Sequence, residues 1–148
     1  MTTEARIMLV EDNQMDVVLT LDAFKKAHLK NPIHISRSGE DARDYLLGQG
    51  KYQDRQQHPL PDLILLDLKL PGLSGHDLLK ILKKKPGLKR IPVIILTSSA
   101  EEGDRALGYD LGANSYLVKP ISFDGFLEVV GTIKDYWLTL NLGPPLED

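Results

Sequence analysis

Leu63-Ile64-Leu65-Leu66-Asp67 decides how this chain folds: four apolar residues in a row, preceded by Pro61-Asp62 and closed by an acid. A short continuous apolar run marks a strand covered on both faces, as in a parallel sheet. Working outward from it, similar runs recur. Ile7-Met8-Leu9-Val10 stops at Glu11-Asp12, Val93-Ile94-Ile95-Leu96 stops at Thr97, and Ser115-Tyr116-Leu117-Val118 stops at Lys119-Pro120. Ile33-His34-Ile35-Ser36 is a fifth, less apolar run.

Helical patterns fill the gaps. Asn13, a good N-cap, precedes Val17, Val18, Leu21 and Phe24 at helical spacing. Ser74-Gly75-His76-Asp77 resembles a capping box that opens a helix through Leu78, Leu79, Ile81 and Leu82, which must end by Pro86. Gly112 is placed to cap the helix before the fifth strand, and Phe123, Phe126, Leu127, Val130, Ile133 and Trp137 form one long apolar stripe. Strand and helix alternate five times. That order predicts an α/β fold, a doubly wound five-stranded parallel sheet with right-handed crossovers and helices on both faces.

The 148 residues suit one domain near the usual size of about 100–150 residues. Residues 1–148 are read as that domain, with a core over about 6–135 and an extension over 136–148 too short to be an output domain. Eighteen basic against 21 acidic residues leave a net charge of −3, which argues against direct nucleic-acid binding. The local basic cluster Lys83-Lys84-Lys85 with Lys89-Arg90 reads as a solvated helix end. The chain has no cysteine, so disulfides and thiolate chemistry are excluded. No signal-peptide layout opens the chain, and no apolar run approaches the ~20 residues of a membrane span. The expectation is a soluble, cytoplasmic protein without a membrane partner. The polar stretch 48–61 reads as a surface loop, and Gly143-Pro144-Pro145 breaks any helix in the tail.

In an open parallel sheet, ligands bind outside the carboxyl ends of the strands. Four strands would bring Glu11, Asp12, Asp67, Thr97 and Lys119 there. Close carboxylates repel by roughly 1–4 kcal/mol per pair at about 4 Å, so the trio implies a neutralising cation. An all-oxygen set suits a hard ion such as Mg²⁺, which takes one or two carboxylates, waters and phosphate oxygens. Lys119 and the Thr97 hydroxyl would complement an anion, and a phosphoryl group fits. Asp67, already ionised, is the candidate nucleophile and would form an acyl phosphate. Each acid alone is also satisfied as a helix cap or turn former; the whole set is not. His28, His34, His58 and His76 lack partners at suggestive spacing and read as surface or core residues.

Leu9-Val10-Glu11-Asp12, Leu65-Leu66-Asp67-Leu68-Lys69-Leu70-Pro71 with Gly75, Leu96-Thr97-Ser98 and Tyr116-Leu117-Val118-Lys119-Pro120 together resemble the receiver domain of two-component response regulators, the CheY-like family. The resemblance implies the flavodoxin/CheY-like strand order 2-1-3-4-5. It implies Asp67 as phosphoacceptor, and Mg²⁺ held by Glu11, Asp12, Asp67 and the backbone carbonyl of Lys69. Thr97 would be the switch hydroxyl, Tyr116 the aromatic switch and Lys119 the phosphate partner, with a cis bond before Pro120. Lys69 and Ser99 would be the positions that tune dephosphorylation.

On this resemblance the protein is a stand-alone response regulator. It is no enzyme beyond its own Mg²⁺-dependent phosphorylation and dephosphorylation. Its partners would be a sensor histidine kinase and a downstream protein or phosphotransfer partner. The loop before Pro61, the segment Pro86 to Pro92 and the end Tyr136-Trp137-Leu138 resemble regulators paired with phytochrome kinases, bacteriophytochromes among them. Trp137 and Leu138 are the expected homodimer or partner surface. Three other readings compete. A flavodoxin-like cofactor binder would want a glycine- or hydroxyl-rich phosphate loop where Glu11-Asp12 stands. An aspartyl phosphatase would want a second acid where Lys69 stands. A pseudo-receiver would act as a protein-binding module without phosphorylation.

Overall fold

The structure, a computed structural model, describes residues 5–98, 100–120 and 122–137. Strands β1 (Ile7–Val10), β2 (Ile33–Ser36), β3 (Leu63–Leu66), β4 (Val93–Thr97) and β5 (Ser115–Val118) alternate with helices α1 (Gln14–Lys26), α2 (Gly39–Leu47), α3 (Gly75–Lys84), α4 (Glu102–Asp110) and α5 (Phe123–Asp135). All pairings are parallel and the order is β2-β1-β3-β4-β5, as expected.

Residue alternation along each strand divides the core in two. Ile7, Leu9, Leu63, Leu65 and Ile94 pack against Val17 and Phe24 of α1 and Phe126, Val130 and Ile133 of α5. Met8, Val10, Ile64, Leu66 and Ile95 face the other way, onto Ala42 and Leu46 of α2 and Leu78, Leu79 and Leu82 of α3. Burying each such aliphatic side chain contributes about 1.5–3 kcal/mol. The central strands are apolar without interruption because both of their faces are covered.

Helix ends follow the sequence signals. Asn13 accepts from the Asp16 amide at 3.0 Å, and Ser74 and Asp77 close a reciprocal capping box. Gly112, with φ +106°, takes the turn after α4 that a side chain would strain.

Two surface readings are corrected. The stretch 48–61 contains a 3-10 turn, Gly50–Tyr52, whose Tyr52 ring is buried in the core. Arg55 lies across the end of α2, donating to the carbonyls of Tyr45 and Leu46 at 2.7 Å each. One aromatic anchor and one guanidinium thus override a polar composition. Lys83 is not wholly solvated either. Its half-buried ammonium donates to the carbonyls of Lys89 and Ile91, tying α3 to the entry of β4.

Candidate functional site

The strand order turns around β1: its next strand in sequence, β2, lies on one side and β3 on the other. Crossovers that leave in opposite directions open a crevice beyond the strand ends. The ladder runs up to its lip. Val10 pairs with Leu66, the Glu11 amide donates to Ser36 O at 2.9 Å, and the Asp67 amide donates to Val10 O at 3.1 Å. Glu11 and Asp67 are therefore fixed by backbone, side by side and buried, with Asp12 the most open of the three. One ligand oxygen from each lies within 4.8 Å of the others. An all-oxygen trio of this size fits a hard divalent cation.

Lys119 enters from the other side. Its amide donates to Thr97 O at 2.7 Å, continuing the β4–β5 pairing one residue past the strand. Its ammonium, with the side chain only 8% exposed, touches Glu11 Oε1 and lies 2.8 Å from Asp67 Oδ2. A further carboxylate oxygen, Asp16 Oδ2 in the first turn of α1, also lies at 2.8 Å. Asp16 is the site residue that sequence reasoning missed. It reads as an ordinary first-turn acid that suits the helix dipole. The available signal was its position, one turn into the helix that follows the acidic pair.

Electrostatics follow from this crowding. Burial raises the Glu11 carboxyl to about 7, helped by the Asp67 charge and opposed by Lys119 and the Asn13 amide. For Lys119, burial works against the charge. Hydrogen bonds to Asp16, Asp67 and Glu11 outweigh it and hold the ammonium above the usual lysine range. One cation against several acids leaves the crevice short of positive charge, which favours a bound metal ion.

The loop after β3 is held closely. Asp67 Oδ1 accepts from the Lys69 amide at 3.1 Å, and a side chain on Gly75 would collide with the backbone of Asp67 and Leu68. The Lys69 ammonium turns outward to Asp104 of α4, at 3.3 Å. Beside β1, Arg37 donates to Asp12 O at 2.9 Å and to Gln14, bracing the loop that carries Asp12.

Thr97 is fully buried at the end of β4, but strand alternation puts it with Val93 and Ile95 on the α2–α4 side. Tyr116 pairs with Ile95, is half-buried and packs on that same side. The two proposed switch residues thus share one face, while Glu11, Asp67 and Lys119 share the other. The expected cis bond before Pro120 is not present, since no described peptide bond is cis. The two isomers of such a bond differ by only about 0.5–1 kcal/mol, and Lys119 is already anchored through its amide and its ammonium. Trp137 is half-buried beside an apolar groove of about 440 Å³ that also includes Ile94, Leu117, Ile133 and Tyr136. Leu138 and Ser99 lie outside the described residues.

Residues 7–131 match the family model for the response regulator receiver domain, and the chain belongs to that family. It is a receiver of two-component phosphorelay signalling. It is 39% identical to the response regulator Rcp1 of Synechocystis sp. over 132 residues, 89% of this chain and 88% of that one. It is 38% identical to the probable methanogenesis regulatory protein FilR2 of Methanothrix harundinacea over 138 residues, 93% of this chain and 86% of that one. The phosphorylated cyanobacterial phytochrome response regulator RcpA superposes with a TM-score of 0.90 at 36% identity, covering 97% of this chain and all of that one. The Mn²⁺-bound form of Rcp1 superposes with a TM-score of 0.86 at 37% identity, covering 95% and 99%. No helix among the described residues is long and apolar enough to cross a membrane.

Proposed function

We propose that Asp67 accepts a phosphoryl group from the phosphohistidine of a cytoplasmic sensor kinase of the phytochrome type, and that the protein then signals through a partner. The observation that supports this most is the Lys119 ammonium bridging Asp67 and Glu11 beside the open acidic trio. An Asp67 oxygen forms the new O–P bond. The donor N–P bond breaks, and its electron pair stays on the imidazole nitrogen, which takes up a proton. Lys119 stands within reach of both Asp67 and the arriving oxygens, and positions and neutralises them. Glu11, Asp12, Asp67 and the Lys69 carbonyl would hold Mg²⁺, which when bound supplies the remaining neutralisation of carboxylate and phosphoryl charge. Hydrolysis of the acyl phosphate at the same residues returns the resting state. Thr97 and Tyr116 read the modified state on the α4 side.

The test is intact mass after incubation with a small acyl phosphate and Mg²⁺. One phosphoryl group should be gained, and lost in Asp67→Asn or with chelator. A wild-type chain that gains nothing, from small donors or phytochrome-type kinases, would point instead to a pseudo-receiver.

The apolar groove beside Trp137 supports a homodimer, with a symmetric pair the commonest closed arrangement. Trp137→Asp should keep the mass gain and give a smaller species in light scattering. An unchanged size rules out this surface.

A further inference from the structure

Asp16 stands outside the metal-sized trio, yet its carboxylate lies as close to Lys119 as Asp67 does, at 2.8 Å. Its backbone is doubly fixed. The amide donates to the Asn13 cap at 3.0 Å, and the carbonyl accepts from the Thr20 hydroxyl at 2.7 Å. Its side chain is one-quarter exposed, while the Lys119 side chain it meets is almost fully buried. Helix dipole and capping account for an acid here; they do not account for its seat on the ammonium.

We propose that Asp16 is a positioning residue that holds Lys119 in its resting place and competes with the phosphoryl group for it. This rests on the reading of Asp67 as phosphoacceptor. The ammonium has a limited number of donor directions, and in the resting state they are taken by Glu11, Asp16 and Asp67. A phosphoryl group on Asp67 brings anionic oxygens that need the same donors. Asp16 is the partner best able to give way. Asp67 is the residue being modified, and Glu11 belongs to the cation trio and is more deeply buried than Asp16. An interaction present before modification and given up after it weakens the modified state by its own strength. Asp16 also places one more negative charge near the path of an incoming anion. Both effects set the threshold for phosphorylation higher than the trio and Lys119 alone would.

Beryllium fluoride, which mimics a phosphoryl group on a carboxylate, makes the competition measurable as an equilibrium. In ¹⁹F NMR titrations with Mg²⁺, Asp16→Asn should bind it roughly two- to fivefold more tightly than wild type, the size of a partly exposed ion pair. Phosphorylation by a small acyl phosphate should speed up by a similar factor. Asp22→Asn, which removes a charge further along α1, should change neither. In a Lys119→Met background the Asp16→Asn gain should vanish, because Asp16 acts through Lys119. A residue serving only the helix would lower the melting temperature and leave the affinity untouched. That outcome, or weaker binding in Asp16→Asn, overturns the proposal. A wild type that takes up neither phosphoryl nor beryllium fluoride overturns the phosphoacceptor reading and this one with it. Uptake by wild type with no gain in Asp16→Asn overturns this one alone.

Discussion

At the ends of the strands the α1/α5 face of the sheet carries charge, with Lys119 bridging Glu11 and Asp67, whereas the α2–α4 face carries Thr97 and, one strand over, Tyr116. The two groups are separated only by the pleat, which sends successive side chains to opposite faces. Charges gathered on one side would let the proposed phosphoryl dianion be neutralised where it forms. Polar and aromatic side chains on the other side sit where α4 packs, with buried Gly108 against Ile95 and Tyr116. On the proposed reading the sheet sets phosphoryl chemistry and its readout on opposite faces, and the Lys119 amide on Thr97 O is a backbone contact between them.

The most damaging way to test that division is to remove the charge that holds the chemical face together. Lys119→Met leaves Glu11, Asp16 and Asp67 without their cation. Breaking a buried ionic network this way costs about 3–5 kcal/mol, or roughly 10 °C in melting temperature for a chain of this size. The deficit should shrink as pH falls, because Glu11, whose carboxyl burial raises to about 7 even beside Lys119, then takes up a proton. Millimolar Mg²⁺ should recover part of it, and phosphorylation should be largely lost. A melting curve indistinguishable from wild type at pH 8 would mean that the four groups are not energetically one unit.

Thr97→Val tests the other face with a smaller effect. Phosphoryl uptake should stay within about threefold of wild type, since strand alternation puts the Thr97 side chain with Val93 and Ile95, on the face away from Glu11 and Asp67. Amide hydrogen exchange in α4 and β5 should then cease to respond to beryllium fluoride. If uptake and response fall together, chemistry and readout are not divided by the pleat.

Much of this was legible because strand ends and chemistry coincide. An apolar run that stops at an acid, hydroxyl or amine names both the element and the residue that matters, and Glu11, Asp67, Thr97 and Lys119 were found that way. Their partition into two faces was present in the same alternation: Leu65 and Asp67 share a parity, as do Ile95 and Thr97. Asp16 was hidden because a first-turn acid has an ordinary explanation, and only the docking of α1 turns it inward. Tyr52 and Arg55 were hidden by their polar neighbours. A loop's composition reports its solvent-facing majority, while its anchoring depends on two side chains that reach α2 and the core. The state of the Lys119–Pro120 bond turns on about 0.5–1 kcal/mol, too little for local sequence to decide.

The smallest expected effect sharpens the contrast at the far edge of the sheet. His34 stacks on Tyr45 at 4.0 Å between ring centres, meets Tyr52 edge-on, and has a buried Nε2 with no hydrogen-bond partner, 4.0 Å from Asp41 Oδ2. Burial lowers its pKa below the usual 6.5; Asp41 opposes this, while His58 and Lys51 add to it. The folded state therefore binds this proton less readily than the unfolded chain. The contribution to stability is present above the unfolded value of 6.5 and is lost as pH falls through the lower folded value. His34→Phe keeps a ring for Tyr45 and removes the titration. Between pH 7.5 and 5.5 its melting temperature should fall less than that of wild type, by about 2 °C. At fixed pH its phosphoryl uptake should match wild type, because the aromatic edge touches neither the acids nor Lys119. Equal pH slopes would deny the His34 assignment. Altered uptake would show that this edge reaches the strand-end site after all.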